Sequence, residues 1–213
     1  MKKAIIFDLD GTLLNTLNDL HKAVNFALEK YNYPPVTIEE VRLALGSGPQ
    51  KLIQVSLKKE VENFDEVFNT YLKYYSEHSN DQTSYYEGVI ETIAKLKKAN
   101  FKLAVLSNKQ HLDTVKVINH YFKDTFDIIQ GSTSSESRKP NPDNLFKIVN
   151  NLELKVDECY YVGDTEVDYL TAKNANMDAI MVKYGFRDYE YLLEKGCPKE
   201  IFINTFDEIL NKI

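Results

Sequence analysis

Short apolar runs alternate with helical patterns along most of the chain, and this alternation restricts the possible folds more than any other feature. The runs are rich in β-branched and aromatic residues, as is typical of strands buried on both faces of a parallel sheet. The predicted strands are Ala4–Phe7, Lys102–Leu106, Phe126–Ile129, Cys159–Val162, Ala179–Val182 and a short one at Ile201–Ile203. The helical patterns between them cover Val89–Lys98, Leu112–His120, Asn144–Asn151 and Val167–Asn176. Strands that alternate with helices across short loops predict an α/β fold with a doubly wound parallel sheet.

One interval interrupts the alternation, because residues 16–81 show helical patterns and no strand pattern. The predicted helices are Leu17–Tyr31, a second one from Thr37 to the turn Gly46–Pro49, then Gln50–Lys58 and Asp65–Glu77. The Thr-x-x-Asp sequence at Thr16 and the Thr-x-x-Glu sequence at Thr37 resemble capping boxes at the start of the first two helices. We therefore expect residues 16–81 to form an inserted all-helical cap domain, and residues 1–15 and 82–213 to form the α/β core.

The composition and the charge of the chain argue against several classes of partner. The chain has 213 residues, of which 43% are hydrophobic, and a formal net charge of −6 at pH 7. An acidic surface repels a phosphate backbone, so nucleic-acid binding is not expected. No apolar stretch approaches membrane-spanning length, and the N-terminal run Ala4–Phe7 is too short for a signal peptide. We expect a cytoplasmic protein that binds no membrane and exists as a monomer or a weak homodimer.

Two carboxylates follow directly after the first predicted strand. Asp8 and Asp10 lie at the strand end where open α/β sheets bind their ligands. Gly11 and Thr12 come next and offer exposed backbone N–H groups and a hydroxyl beside the two acids. Paired acids at a strand end are usually a solvated turn, but acids combined with amide and hydroxyl donors favour a site that binds a metal and an anion together.

Three further strand ends supply groups that such a site lacks. A hydroxyl and an amide follow the second strand, a lysine precedes a proline after the third strand, and two acids follow the fourth. These residues are Ser107, Asn108, Lys139, Asp164 and Asp168. Each segment alone is common on protein surfaces, but together they occur in order at successive strand ends, which predicts one shared site.

Four carboxylates at one edge of a sheet repel one another and require cations. They are Asp8, Asp10, Asp164 and Asp168. Each close pair costs about 4 kcal/mol at an effective dielectric constant near 20. The candidate ligands are all oxygens, and none of these motifs contains a Cys or a His, so the set favours a hard divalent ion, Mg²⁺.

Taken in order, these motifs resemble the haloacid dehalogenase superfamily: Asp-x-Asp-x-Thr, then a strand-end Ser, then Lys-Pro, then Gly-Asp-x-x-x-Asp. The resemblance covers the whole chain, including the helical insertion, and its finer match is to phosphoglycolate phosphatase-like members. The segments that carry the finer match are Asp8–Leu13, Leu45–Gly48, Lys139–Pro142, Tyr161–Thr165 and Gly185–Arg187. Asn15 stands where these enzymes usually carry an aspartate, at a position that is not catalytic in the family. The resemblance implies a Rossmann-like core, a helical cap and a Mg²⁺-dependent phosphatase.

The resemblance also implies roles for the two acids after the first strand and for the groups that bind the phosphoryl oxygens. Asp8 resembles the nucleophile that forms an aspartyl-phosphate, and Asp10 resembles the general acid and base. Ser107, the Asn108 amide and Lys139 correspond to groups that bind the phosphoryl oxygens.

The metal would be held by the carboxylate of Asp8, the backbone carbonyl of Asp10 and the carboxylate of Asp164. Asp168 would support the metal's water ligands or orient the lysine after the third strand. Gly11 and Thr12 would lie beside the phosphate or support the residues that bind it.

The substrate is expected to be a small phosphate monoester such as phosphoglycolate, selected by the cap. Its candidate selecting residues are Gly46, Ser47 and Gly48, whose backbone N–H groups can approach a ligand closely, and Lys51, which follows within one helical turn. The core motifs are equally compatible with a sugar phosphomutase of the β-phosphoglucomutase type. A third reading is a family member that only binds its ligand, but such a protein has no need for Asp10.

Overall fold

The computed structural model describes residues 1–213 and is built on a six-stranded parallel sheet. The strands of the protein are β1 Ala4–Phe7, β2 Leu14–Asn15, β3 Ser84–Tyr85, β4 Lys102–Gln110, β5 Ile128–Ser132, β6 Cys159–Gly163, β7 Asp178–Val182 and β8 Phe202–Ile203. The main sheet has the order β5-β4-β1-β6-β7-β8. The chain therefore moves outward from β1 to one edge and returns to its other side with β6. The predicted doubly wound α/β fold is confirmed, and its switch point lies beside β1.

Nine α-helices accompany the strands. They are α1 Leu17–Lys30, α2 Ile38–Ala44, α3 Pro49–Leu57, α4 Phe64–His78, α5 Val89–Lys98, α6 His111–Phe122, α7 Asp143–Asn151, α8 Glu166–Asn174 and α9 Tyr189–Glu194. All eight predicted helices are present within a few residues of their predicted ends. None of the nine combines the length and the apolar composition that crossing a lipid bilayer requires.

The first strand is buried on both faces, and this burial fixes the position of the residues that follow it. Its four residues have no exposed surface. Ile5 and Phe7 contribute to the apolar cluster on one face of the sheet, whereas Ala4 and Ile6 contribute to the cluster on the other face. β1 pairs in parallel with β4 and β6, so Phe7 lies between Val105 and Val162. The next residue of the chain therefore enters the centre of the carboxyl edge of the sheet.

Two of the predicted strands differ from the observed ones by more than one residue at an end, whereas the other four agree to within one residue. β5 begins at Ile128 and not at Phe126, because the carboxylate of Asp127 accepts the hydrogen bond from the Leu103 N–H at 2.8 Å in place of a backbone carbonyl. β4 continues beyond the predicted end at Leu106 as far as Gln110, with a register shift between these two residues. The predicted site residues after this strand thus lie on an irregular strand end and not on a free loop.

The helices α1–α4 lie between the short strands β2 and β3, which pair antiparallel. Fifteen buried residues, all but one of them from this helical segment, form a separate apolar cluster; the exception is Phe186 of the core. We propose on this basis that residues 16–81 are a cap inserted between residues 1–15 and 82–213, with the β2–β3 pair at its base.

Of the two predicted capping boxes, the structure contains only the one at Thr37. At Thr37 the box is present: its hydroxyl accepts from the Glu40 N–H, and the Glu40 carboxylate accepts from the Thr37 N–H. At Thr16 the prediction is wrong. The Thr16 hydroxyl donates to Asp10 at 2.7 Å, and the Asp19 carboxylate accepts hydrogen bonds from residues 82 and 83 at the base of the cap. Hydrogen bonds to residues outside the helix have thus replaced the local bonds that would cap its start.

Candidate active site

Asp8 is the first residue after β1 and is almost completely buried, with 5% of its surface exposed. Its backbone N–H donates to Val162 O on the neighbouring strand, which fixes the backbone at the sheet edge. One carboxylate oxygen lies 2.9 Å from the Lys139 ammonium. Burial, followed by repulsion from Asp168, raises the pKa of Asp8 from 3.8 to about 7 despite the attraction of this lysine. Asp8 is therefore a buried carboxyl group with too little positive charge around it to keep its pKa in the ordinary range.

Lys139 occupies a buried position with three polar partners. Its Nζ lies 2.9 Å from Asp8, 2.7 Å from Asp168 and 3.0 Å from the Tyr161 hydroxyl. Burial disfavours its charged form, but the two carboxylates raise its pKa well above the usual value. Asn108 holds the backbone on which this lysine stands, because its Oδ1 accepts from the Lys139 N–H at 2.8 Å and its Nδ2 donates to the Lys139 carbonyl at 3.0 Å. The lysine is a fixed cation beside Asp8.

Asp168 has most of its hydrogen-bonding capacity satisfied by the protein. One oxygen accepts from Lys139, and the other accepts from the Thr165 N–H and hydroxyl at 3.0 and 2.6 Å. Burial alone would raise its pKa, but Lys139 and these hydrogen bonds lower it. Of its two predicted roles, this geometry fits the orientation of Lys139 better than direct metal ligation.

Asp164 is completely buried and has no cationic partner. It accepts hydrogen bonds from the Thr12 hydroxyl at 3.0 Å and the Phe186 N–H at 2.8 Å. Burial and the neighbouring carboxylates raise its pKa well above the usual range. Gly11 has a φ of +88°, and a Cβ at this position would lie 2.2 Å from the Asp164 carboxylate. Only glycine therefore permits the turn after β1 to approach this acid so closely.

Oxygen atoms of Asp8, Asp164 and Asp168 lie within 4.8 Å of one another, so this buried acidic triad could hold a metal ion. Two observations test whether a hard cation suits it. The ligand atoms are all carboxylate oxygens, which such ions prefer. The pKa values of Asp8 and Asp164 are raised by burial and by repulsion between the carboxylates, and a bound cation would offset both effects. Both observations fit a divalent cation such as Mg²⁺.

Asp10 is half-buried and lies outside the triad. Its carboxylate accepts from the Thr16 hydroxyl at 2.7 Å and lies 2.9 Å from the Lys109 ammonium. Asp8, Asp10 and Ser107 line one small cavity of about 50 Å³ under the helices α3 and α4. The carboxylate of Asp10 thus faces the space above Asp8, as a general acid and base requires, and its side chain is not needed as a metal ligand.

The predicted substrate-selecting turn divides into residues that reach this cavity and residues that do not. Gly46 and Gly48 line the cavity, and the Gly46 carbonyl accepts from Asn108 Nδ2 at 2.9 Å. Ser47 and Lys51 are exposed and are not part of the cavity wall. The structure therefore brings the two glycines to the site and leaves the lysine of this segment on the surface.

The segment Gly185–Arg187 connects the cap to the acidic triad. The Phe186 N–H donates to Asp164, as described above. The Arg187 guanidinium donates to the carbonyls of Arg42 and Leu45 at 3.0 and 2.6 Å, at the end of α2. This arginine thus supplies donors to two backbone carbonyls at the helix end. The position of the cap is thereby tied to a loop that also positions a candidate metal ligand.

Two residues of the site were not predicted from the sequence. Lys109 is a buried lysine between Asp10 and the cap, and the hydroxyl of Tyr75 lies 2.8 Å from its Nζ. Tyr75 has the helical spacing of a residue that packs among the cap helices, and its ring stacks there on Tyr71. The available signal is the position of Lys109, directly after the strand-end Ser107-Asn108 pair, where a third side chain can face the same edge.

Comparisons with known proteins agree with this geometry. Residues 5–182 match the family of haloacid dehalogenase-like hydrolases. A phosphoglycolate phosphatase of Psychrobacter arcticus is 30% identical over 211 residues, which cover 94% of this chain and 91% of that protein. The pyrophosphatase PpaX of Halalkalibacterium halodurans is 32% identical over 189 residues, covering 88% and 86% of the two chains. The crystal structure of a predicted phosphoglycolate phosphatase from Haemophilus somnus has a TM-score of 0.91 at 26% identity, covering 99% of this chain and 97% of that one.

These similarities extend over the core and the helical insertion alike. They confirm the resemblance that the motifs at the strand ends suggest, down to the phosphoglycolate phosphatase-like members. They also confirm the predicted class of enzyme, a phosphoric monoester hydrolase. The chain belongs to the family of haloacid dehalogenase-like hydrolases.

Proposed function

We propose that the protein is a Mg²⁺-dependent phosphatase that hydrolyses a small phosphorylated metabolite through an aspartyl-phosphate on Asp8, with phosphoglycolate as the first candidate. The position of Asp8 carries the proposal. It is buried against a fixed lysine on one side and opens on the other side to a cavity that it shares with Asp10. A nucleophilic carboxylate, a cation and an acid–base group at one sheet edge are the groups that phosphoryl transfer needs.

The first half of the reaction transfers the phosphoryl group to the protein. A carboxylate oxygen of Asp8 attacks phosphorus while Asp10 protonates the leaving alcohol, so that the phosphorus–oxygen ester bond breaks and the alcohol leaves neutral. Lys139 and the Ser107 hydroxyl stabilise the negative charge on the phosphoryl oxygens. In the second half, Asp10 removes a proton from water, which attacks the phosphorus and releases inorganic phosphate and free Asp8.

The acidic groups provide a place for the metal. The carboxylates of Asp8 and Asp164 and the backbone carbonyl of Asp10 would hold Mg²⁺. When bound, Mg²⁺ supplies positive charge to the phosphoryl oxygens and to the nucleophile. Asp168 remains committed to Lys139, and the Thr12 hydroxyl orients Asp164. Asp164 would thus bind the metal, whereas Asp168 positions the lysine.

Two observations support a small leaving group. The cavity above Asp8 and Asp10 is small, at about 50 Å³, which favours a compact leaving group. Several similar proteins are called phosphoglycolate phosphatases, although one is a pyrophosphatase. The glycines at positions 46 and 48 line this cavity, and we propose that the cap turn restricts the size of the leaving group.

The proposal is tested by measuring kcat/KM with Mg²⁺ for phosphoglycolate, pyrophosphate, a hexose phosphate and an aryl phosphate. We expect phosphoglycolate to give the highest value. Preference for the hexose phosphate, with isomerisation in the presence of a sugar bisphosphate, would instead identify a phosphomutase. Preference for pyrophosphate would retain the mechanism and replace the substrate.

Removal of the metal should abolish activity. Excess chelator is expected to stop hydrolysis of every ester, and added Mg²⁺ should restore it, because Asp8 and Asp164 otherwise repel the phosphate. Ca²⁺ should fail to restore it, since this larger ion takes more ligands and can engage both oxygens of Asp8. The measurement is the rate with an aryl phosphate, accompanied by the melting temperature with and without each ion. Undiminished hydrolysis in excess chelator would contradict the metal assignment.

The affinity for Mg²⁺ should fall as the pH is lowered. The pKa of Asp8 is about 7 in the metal-free protein, so this carboxyl must lose a proton before it can bind the metal in mildly acidic solution. Below this pKa, the apparent affinity for Mg²⁺ should fall by about tenfold per pH unit, because the metal must displace one proton from Asp8. Calorimetric titrations above and below neutral pH measure this dependence, and the Asp8→Asn variant should show a shallower one. An affinity that is constant across neutrality would contradict the prediction.

A further inference from the structure

Lys109 is the only cationic side chain that lines the cavity above Asp8 and Asp10. The other charged residues of the wall are Asp8, Asp10 and Asp113, all acids. Lys109 itself is buried, with 8% of its surface exposed, on the irregular end of β4. Lys109 is therefore the one side chain of the wall whose charge would attract a second negative charge on the substrate.

The ammonium of Lys109 retains hydrogen-bonding capacity for a ligand. Two protein acceptors lie close to it: Asp10 Oδ2 at 2.9 Å and the Tyr75 hydroxyl oxygen at 2.8 Å. An ammonium has three protons, so one N–H is left without a protein acceptor. Nζ lies 4.5 Å from the centroid of the Tyr75 ring, so this residue of the cap also holds the ammonium in place.

Tyr75 adds a second donor next to the first. Its hydroxyl oxygen accepts from Lys109, and its own proton has no acceptor among the protein atoms. Burial raises the pKa of Tyr75 well above the usual value, so the hydroxyl stays protonated and can donate. An N–H and an O–H on atoms 2.8 Å apart, both at the wall of one cavity, match the two oxygens of a carboxylate.

We propose that Lys109, together with Tyr75 of the cap, binds the carboxylate of the leaving group and so selects phosphate esters of small α-hydroxy acids. This inference rests on the proposed function. In such an ester the carboxylate is attached to the carbon that bears the leaving oxygen. When that oxygen faces Asp10 to receive its proton, the carboxylate lies beside Asp10 and therefore beside the ammonium that contacts Asp10.

Paired substrates test the proposal. Phosphoglycolate and carbamoylmethyl phosphate have nearly the same shape, but an amide replaces the carboxylate in the second. Wild-type protein should prefer the carboxylate by kcat/KM, and Lys109→Met should reduce that preference by about 10- to 100-fold, the usual effect of losing a hydrogen bond between charged groups. Tyr75→Phe, which keeps the ring and removes the donor, should reduce the preference by a smaller factor. The change should appear mainly in KM for phosphoglycolate.

A matched control separates recognition from docking of the cap. The Nζ of Lys116 on α6 also donates to the cap, at the Ser76 carbonyl, and does not line the cavity. Lys116→Met should lower the rates with both esters by the same factor. If Lys109→Met also lowered both equally, Lys109 would serve only to hold the cap or Asp10, and the proposal would be wrong.

Binding to an inactive variant distinguishes failure of this inference from failure of the proposed function. Asp8→Asn protein with Mg²⁺ is titrated with each ester by calorimetry, which requires no turnover. Tighter binding of phosphoglycolate than of the amide, lost on adding Lys109→Met, would support the recognition even if another ester proved to be the better substrate. Equal affinities for the two esters would overturn it, whatever the protein hydrolyses.

Discussion

Asp8→Asn should reduce turnover to the level of the uncatalysed background, the largest effect expected of any single change in this protein. The amide cannot act as the nucleophile, and Asp8 is the only carboxylate that both faces the cavity and touches Lys139. The measurement is the rate with phosphoglycolate and with an aryl phosphate in the presence of Mg²⁺. An activity within tenfold of wild type would contradict covalent catalysis by Asp8.

The same variant should remain folded, which separates loss of chemistry from loss of structure. The pKa of Asp8 in the folded protein, about 7, lies above the ordinary value of 3.8, so its ionisation lowers stability as the pH rises through that interval. A neutral amide removes this penalty. Above pH 7 the metal-free variant should therefore melt no lower than wild type. A large drop in melting temperature would show that the lost activity reflects unfolding.

The covalent intermediate gives a second, independent measurement. An aryl leaving group departs without protonation, but breakdown of the aspartyl-phosphate still needs Asp10 to activate water. Asp10→Asn protein quenched with acid during turnover of an aryl phosphate should therefore carry a phosphoryl group on the peptide that contains Asp8. The adduct should be absent from the Asp8→Asn protein.

Much of the fold could be predicted because the apolar pattern within a short segment determines whether that segment forms a strand or a helix. The run Ala4–Phe7 is apolar at every position, which is typical of a strand buried on both faces, and its observed limits are the predicted ones. The helix Val89–Lys98 likewise begins and ends where its apolar spacing does. Asp8, Ser107 and Asp164 each follow a predicted strand. Because the carboxyl ends of parallel strands lie at the same edge of the sheet, the sequence also predicts that these residues share one site.

The predictions of element limits and helix caps are wrong where a side chain forms a hydrogen bond with a residue outside its own segment of the chain. Asp127 replaces a backbone acceptor with its carboxylate and so delays the start of β5. Thr16 and Asp19 have the spacing of a capping box, but Asp10 and the base of the cap are better partners for them. The spacing of residues in a segment predicts which hydrogen bonds they can form with each other. It carries no information on donors and acceptors from distant parts of the chain that compete for the same side chains.

The contact between Lys109 and Tyr75 could not be predicted for the same reason. The two residues are 34 positions apart, on β4 and on a helix of the cap. A lysine at a strand end is usually solvated, and a tyrosine at helical spacing usually packs against its own helices. Only the placement of the cap over the sheet edge reveals that a buried cation faces the cavity.

Lys139→Met should produce the second-largest effect, and it should affect both activity and stability. The lysine is the only cation in contact with Asp8, so its loss should lower kcat by about 10²–10³-fold or more, as when one charge-stabilising donor is removed from an active site. It also leaves the ionised Asp168 buried without a cation, which costs about 3–5 kcal/mol of unfolding free energy. Urea denaturation of the metal-free protein measures the second effect.

The two effects of Lys139→Met should be separable by changing its partner. Asp168→Asn in the same chain removes the unpaired charge, so the double variant should recover much of the lost stability while its kcat stays low. Lys147→Met, at an exposed lysine of the helix that follows the Lys139 loop, should change neither quantity. If the double variant regained activity together with stability, Lys139 would act only by keeping the sheet edge folded. Recovery of stability alone would assign its charge to the phosphoryl group, because Asp8 then lies in an intact site without the cation that it shares with the substrate.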